Sequence, residues 1–194
     1  VTKFHPAQLV RDLHALGVRD VGENRQQELS AKAGELEELD DLRWHFIGQA
    51  QTNKAGAIRR SADVVHSVDR DRLADSLDRA AEDEAILDVL VQVNLTDDAG
   101  RGGVAPEQTQ ALAEHVMTLG SLRLRGVMAV APLDEDPSSA FSRLRDIADR
   151  VLEIEPDANW MSAGMTGDFE IAIAAGATHL RIGSAITGPR PDRG

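Results

Sequence analysis

Residues 160–188 read WMSAGMTGDFEIAIAAGATHLRIGSAITG, two strand-to-loop transitions in succession that carry small, hydroxyl-bearing residues. Met161-Ser162-Ala163 is a short apolar strand that gives way to Gly164-Met165-Thr166-Gly167. Asp168 and Glu170 then open an Ala/Ile-rich helix that stops at Gly176. A second apolar strand over residues 178–182 breaks at Gly183-Ser184. Two glycine-flanked hydroxyls beside helix starts offer backbone N–H groups and side-chain donors to an anion, so the stretch reads as a phosphate cradle. Glycine at a strand end is also ordinary turn chemistry, and the rest of the chain has to decide between the two.

Outward from this stretch the same strand–helix alternation continues to the first residues. A three-residue strand stub ends at Lys3. Pro6 opens a helix with Leu9, Val10, Leu13 and Leu16 at helical spacing, closed by Gly17. Strands are predicted at 18–24 (VRDVGEN), 43–48 (RWHFIG), 64–69 (VVHSVD), 87–94 (LDVLVQVN) and 122–130 (LRLRGVMAV). Helices fall between them, at 26–39, 52–61 with a cap near Thr52 or Asn53, through Leu73 and Leu77, from Pro106 to about 119, and at 139–153. The run at 87–94 is continuous and β-branched, as strands buried on both faces are.

Eight strands separated by helices in one domain over residues 1–194 predict an α/β fold, a single (β/α)8 TIM barrel. An open doubly wound sheet is the competing architecture, but no G-x-G-x-x-G follows the first strand. In a barrel the strand ends converge on one mouth, and the loops after the last two strands often bind phosphate. Lys3, Asn24, His45, Ser67 or Asp69, Asn94, Met128, Ser162 and Arg181 are the residues at that mouth.

Composition narrows the chemistry. A formal charge of −12 disfavours nucleic acid and anionic membranes as partners, because phosphate-rich surfaces are bound by basic ones. Cysteine is absent, which removes disulfides and thiol catalysis and is compatible with a reducing cytoplasm. No apolar run reaches membrane-spanning length and no signal peptide heads the sequence. We therefore expect a soluble, cytoplasmic protein, with Val1-Thr2-Lys3 the end of a strand whose N-terminal segment is missing. Six scattered histidines show no metal-ligand spacing, and Asp97-Asp98 lacks the rest of a calcium loop, so no metal is predicted. Ser184 lacks a G-x-S-x-G elbow, which argues against a hydrolase triad.

Of three lysines, Lys32 in a Glu-rich helix and Lys54 at a helix start read as solvated, leaving Lys3 at an inward strand end as the candidate amine nucleophile. A strand-end lysine opposite a phosphate cradle suits a Schiff-base aldolase acting on a sugar phosphate, or pyridoxal 5′-phosphate held covalently. Arg181, two residues before Gly183, leans toward the second by offering a donor to a ring nitrogen. His45, after Trp44, is a candidate proton donor, although a strand histidine is more often a satisfied hydrogen-bonding group, and His66, alternating with apolar neighbours, could point either way.

As an ordered set, VTKFHP, GEN, RWHFIGQAQTNK, HSVD, LVQVN, LRLRGVMAV and SAGMTGDFEIAIAAGATHLRIGSAITG resemble the pyridoxal-phosphate homeostasis protein family over nearly the whole chain. The resemblance implies a barrel like the N-terminal domain of alanine racemase (fold type III). It further implies a monomer that binds pyridoxal 5′-phosphate and buffers or delivers it, with pyridoxal-dependent apoenzymes as recipients and no robust catalysis; a racemase-like enzyme is the alternative. Position by position, Lys3 matches the family's Schiff-base lysine, and Asn24 and His45 match residues on the cofactor's ring side. Met165, Thr166 and Gly167 match one phosphate loop, Gly183 and Ser184 the other, and Arg181 the arginine facing the pyridine nitrogen. The family commonly reads VSKTKP where this chain has VTKFHP, so His5 replaces a second lysine. Thr166 stands for a usual serine and Arg101 for a common lysine. The family's helix before the first strand has no counterpart in this sequence. Alanine racemase takes a tyrosine base from a second domain, and this chain contains no tyrosine.

Overall fold

The computed structural model describes residues 1–82, 84–98 and 100–188. Six strands form one parallel sheet in strictly sequential order: β1 (Asp20–Glu23), β2 (Arg43–Phe46), β3 (Val64–Val68), β4 (Leu87–Gln92), β5 (Leu122–Met128) and β6 (Trp160–Ser162). A doubly wound sheet reverses its strand order part-way, so sequential order removes that alternative. The helices are α1 (Ala7–Ala15), α2 (Gln26–Glu35), α3 (Ala55–Arg59), α4 (Asp71–Arg79), α5 (Thr109–Met117), α6 (Pro137–Ile154), α7 (Phe169–Ala174) and α8 (Ser184–Thr187).

The helix pattern follows apolar spacing. On α6, Ala140, Phe141, Leu144, Ile147, Ala148 and Val151 form one buried stripe, and Asp136 caps the helix by accepting from the Ser138 amide at 3.2 Å. The expected cap at Thr52 or Asn53 is absent. Those residues form a 3-10 turn, Thr52–Lys54, that leads into α3 with no side-chain cap.

The sheet is strongly rolled. β3 and β6 are separated in the sheet by β4 and β5, yet His66 Nδ1 of β3 lies 2.9 Å from Ser162 Oγ of β6. That distance is possible only if the face carrying both side chains is concave. Helices pack on the convex face, where Val65, Val89, Val91, Val127 and Met161 join the main core. A smaller interior cluster, Val64, Leu90 and Met128 against Trp160, fills part of the concave face.

Among the described residues the sheet has six strands rather than the eight expected. The chain at 178–182 makes one parallel bridge, Ser162 to His179, with further bonds from the Ala163 amide to the His179 carbonyl and from the Arg181 amide to the Gly164 carbonyl. β6 is only three residues long and Gly164 follows it with φ +89°, so the pairing is a single bridge flanked by individual hydrogen bonds. At the other edge Thr2 N donates to the Gly22 carbonyl of β1 (3.0 Å), and the Val1 nitrogen donates to the Ile182 carbonyl (2.6 Å). The first and last segments thus meet through single hydrogen bonds.

Candidate functional site

A cavity of about 370 Å³ opens where these two segments meet, within the range of about 300–1,000 Å³ usual for small-molecule sites. Its wall holds Lys3, Asn24, Met165, Thr166, Gly167, Arg181, Gly183 and Ser184, eight of the nine residues selected from sequence. Val1, His5, Ile47, Val130, Thr187 and Gly188 complete it. A larger depression of about 1150 Å³ borders the loops after β4 and β5, between Arg101 and Arg143. Size alone directs attention there, but none of the selected residues lines it.

Lys3 is placed by its neighbours. Thr2 bonds β1 through its amide, and its hydroxyl donates to Glu23 Oε1 at 2.6 Å. Lys32 Nζ, on α2, donates to the same Glu23 oxygen (2.6 Å) and to the Thr2 carbonyl (2.8 Å). Glu23 is fully buried and Lys32 nearly so, which corrects the reading of Lys32 as a solvated residue. Its position was legible: Leu29, Lys32 and Leu36 follow i, i+3, i+7 spacing on the apolar face of the helix. Just after Lys3, Phe4 adopts φ +68°, a left-handed conformation that costs a non-glycine residue about 1–3 kcal/mol. Its amide donates to Glu28 Oε2 (2.9 Å) and the Arg25 guanidinium sits 4.9 Å from its ring. These contacts hold the turn that takes the chain into α1.

The two hydroxyl loops face each other, with Ser184 Oγ and Thr166 Oγ1 3.5 Å apart. Asp168 braces the first loop by accepting from the Met165 amide at 2.6 Å. On the opposite wall Asn24 follows β1 directly. Gly48 passes so close that a Cβ there would lie 1.9 Å from the Asn24 carbonyl oxygen, so only glycine fits beside it.

Arg181 is 8% exposed and enters from the last segment. It donates to Ser162 Oγ (2.8 Å) and to the Ala129 carbonyl (2.8 Å). Burial pulls its guanidinium down to about 10, partly countered by the Asp168 carboxylate, which leaves it cationic at neutral pH. His45 stands apart from the cavity wall. Its ring lies inside the rolled sheet, Nδ1 2.9 Å from His66 Nε2 and Nε2 2.9 Å from Asp20 Oδ1. The alternation of β2 sends Trp44 and Phe46 to the helices and His45 inward, but below the mouth that strand-end position suggested. Burial, reinforced by the charges of His45, Arg181 and His179, holds His66 well below the ordinary imidazole range.

The alanine racemase N-terminal domain family matches residues 3–191 of the chain. The pyridoxal phosphate homeostasis protein of Pseudomonas aeruginosa is 44% identical over 194 residues, covering 98% of this chain and 83% of that protein. The Mycobacterium bovis protein of the same name is 42% identical over 209 residues, covering 98% and 81%. The chain belongs to the pyridoxal phosphate homeostasis protein family. PipY of Synechococcus elongatus superimposes with a TM-score of 0.90 in its structure without PLP and 0.89 with PLP bound, at 36% identity over 96% of this chain and 90% of PipY. Alanine racemase from Corynebacterium glutamicum, at 13% identity and a TM-score of 0.72, shares the fold.

Proposed function

We propose that this chain binds pyridoxal 5′-phosphate covalently at Lys3 and acts as an intracellular reservoir and carrier of it. The observation that carries the reading is the convergence of Lys3, both hydroxyl loops and Arg181 on one cavity. It agrees with the names of the relatives and with PipY having been solved with PLP. Pyridoxal phosphate supplies an aldehyde that an amine captures reversibly. Lys3, the one lysine on the cavity wall, would be the amine that holds the aldehyde. Thr166, Gly167, Gly183 and Ser184 would hold the phosphate with Met165 beside them, and Asn24 would line the ring side. Arg181 spends two of its five N–H donors on Ser162 and Ala129. Of the others, one would serve the pyridine nitrogen. An arginine there donates a hydrogen bond and keeps its proton, so the ring stays a weak electron sink, which favours storage over turnover. His45 acts behind the cavity rather than against the ring.

In the same reading, residues 1–3 and 178–182 supply the two further strands that close an eight-stranded barrel, its mouth at the cavity. The protein works as a cytoplasmic monomer, and pyridoxal-dependent apoenzymes receive the cofactor.

Adding pyridoxal phosphate to the purified protein should shift the cofactor's absorption band, and borohydride should fix its mass on the Lys3 peptide. Lys3→Arg should abolish both. Fixation on Lys32 or Lys54 instead would sink the assignment. Exchange of an amino acid's α-proton into heavy water with sustained turnover would favour the racemase-like alternative.

A further inference from the structure

One chain of buried polar groups inside the rolled sheet is not explained by ligand contact. It starts at Asp20, whose side chain is 60% exposed at the start of β1, and passes through His45, His66 and Ser162 to Arg181 on the cavity wall. The four links measure 2.9, 2.9, 2.9 and 2.8 Å. Four strands, β1, β2, β3 and β6, and the segment bearing Arg181 contribute, and the side chains of β4 and β5 contribute none.

With both rings neutral, the two ends fix the direction of every bond. Arginine has only donors, so Arg181 donates to Ser162 Oγ, and an ionised carboxylate has only acceptors, so Asp20 accepts from His45 Nε2–H. A neutral imidazole carries one proton. His45 Nδ1 is therefore an acceptor and must receive the His66 Nε2 proton. His66 Nδ1 is then an acceptor in turn and receives the Ser162 hydroxyl proton. Each link is satisfied once, and no other assignment of neutral rings avoids two bare nitrogens or two N–H groups facing each other. Burial holds His66 well below the usual imidazole range, so its ring carries one proton at neutral pH, and the ring of His179 packs 6.3 Å from both His45 and His66.

We propose that Asp20, His45, His66 and Ser162 are positioning residues: a directed hydrogen-bond relay that turns the Ser162 oxygen lone pairs onto Arg181 and so sets its orientation at the cavity from the far end of the sheet. The consequence for a bound cofactor rests on the pyridoxal phosphate reading above; the relay itself does not.

Long-range 15N spectra of the imidazoles in the ligand-free protein at neutral pH test the relay. Both His45 and His66 are expected as neutral rings protonated at Nε2, and a proton on Nδ1 of either ring, or a charged ring, would overturn the proposal. Asp20→Ala, at an exposed position that leaves the core intact, should then shift the Arg181 side-chain N–H resonances. Asp20→Asn, which keeps a carbonyl acceptor, should restore them. Arg181 resonances identical in all three proteins would overturn the coupling. In protein loaded with pyridoxal phosphate, Asp20→Ala should move the absorption maximum and weaken binding by about 2–10-fold, again with rescue by Asp20→Asn. An unchanged maximum and affinity would limit the relay to a structural role and overturn its action on the site, whereas failure of the wild type to take up the cofactor would strike the site assignment and leave the ligand-free spectra to decide the relay.

Discussion

Glu23 and Lys32 show how much a single buried charge pair carries here. Both are inside, their contact is 2.6 Å, and Glu23 Oε2 finds no partner among the described residues. A buried pair of this kind stabilises little relative to an apolar pair, yet removing one member leaves a charge without compensation. Lys32→Met is therefore expected to cost about 3–5 kcal/mol, read as a lower urea midpoint, while the double replacement Glu23→Leu/Lys32→Met should recover most of it. Equal losses in the single and double variants would show that the pair does not act as a unit. Because Lys32 also holds the Thr2 carbonyl, the single variant should loosen the segment bearing Lys3. Borohydride trapping of pyridoxal phosphate on Lys3 should then slow.

At the scale of elements, glycines decide how closely neighbouring strands approach. Gly126 of β5 has φ +142°, and a Cβ there would lie 1.9 Å from the Trp160 carbonyl oxygen of its partner β6. Neither the dihedral nor the space admits a side chain, so Gly126→Ala should destabilise by about 3 kcal/mol or more. Gly34 in α2 offers a contrast: nothing lies within 4 Å of its Cβ position. Gly34→Ala should stabilise by about 0.5–1 kcal/mol through helix propensity. Chemical denaturation of the two variants gives opposite signs if local geometry governs, and a tolerated Gly126→Ala would show that the β5–β6 pairing relaxes freely. Most elements were readable from apolar periodicity. The core helix faces and six of the strands lie where the pattern put them, because burial on one or both faces imposes its own period. The segment at 178–182 is apolar enough to be read as a full strand, but β6 ends after three residues and the two pair through one bridge and individual hydrogen bonds.

For the molecule as a whole, the rolled sheet encloses histidines that fold in their neutral form. Burial, with the charges of His45, Arg43 and Arg125 against that of Asp20, lowers His179 to about 4, and His66 lies well below its ordinary 6.5. Between pH 6.5 and about 4 the unfolded chain therefore binds more protons at these sites than the folded one, and stability falls as pH falls. Asp20 acts lower: held down mainly by its hydrogen bond from His45, it contributes stability above its ordinary 3.8 that is lost as pH drops below it. Urea midpoints should decline from pH 7.5 to pH 5, and His179→Phe, which keeps a ring stacked on Trp160 (4.2 Å between centroids), should flatten the decline. A midpoint constant over that range would mean that the interior rings titrate as they do in the unfolded chain.

The sequence by itself determined the alternation of strands and helices, the glycine-hydroxyl loops and the choice of Lys3 and Arg181, since periodicity, turn chemistry and the donor set of a side chain are local properties. Three things were decided only by tertiary structure. Lys32 meets Glu23 because packing sets α2 against β1, where Glu23 is buried. His45 points into the interior rather than to the cavity because the pairing of β2 sets its depth. The Asp20-to-Arg181 relay exists because rolling the sheet brings β3 within hydrogen-bond reach of β6, 96 residues apart in the chain. No local pattern encodes such a contact; it follows from the curvature that six parallel strands acquire when helices cover one face and side chains must fill the other.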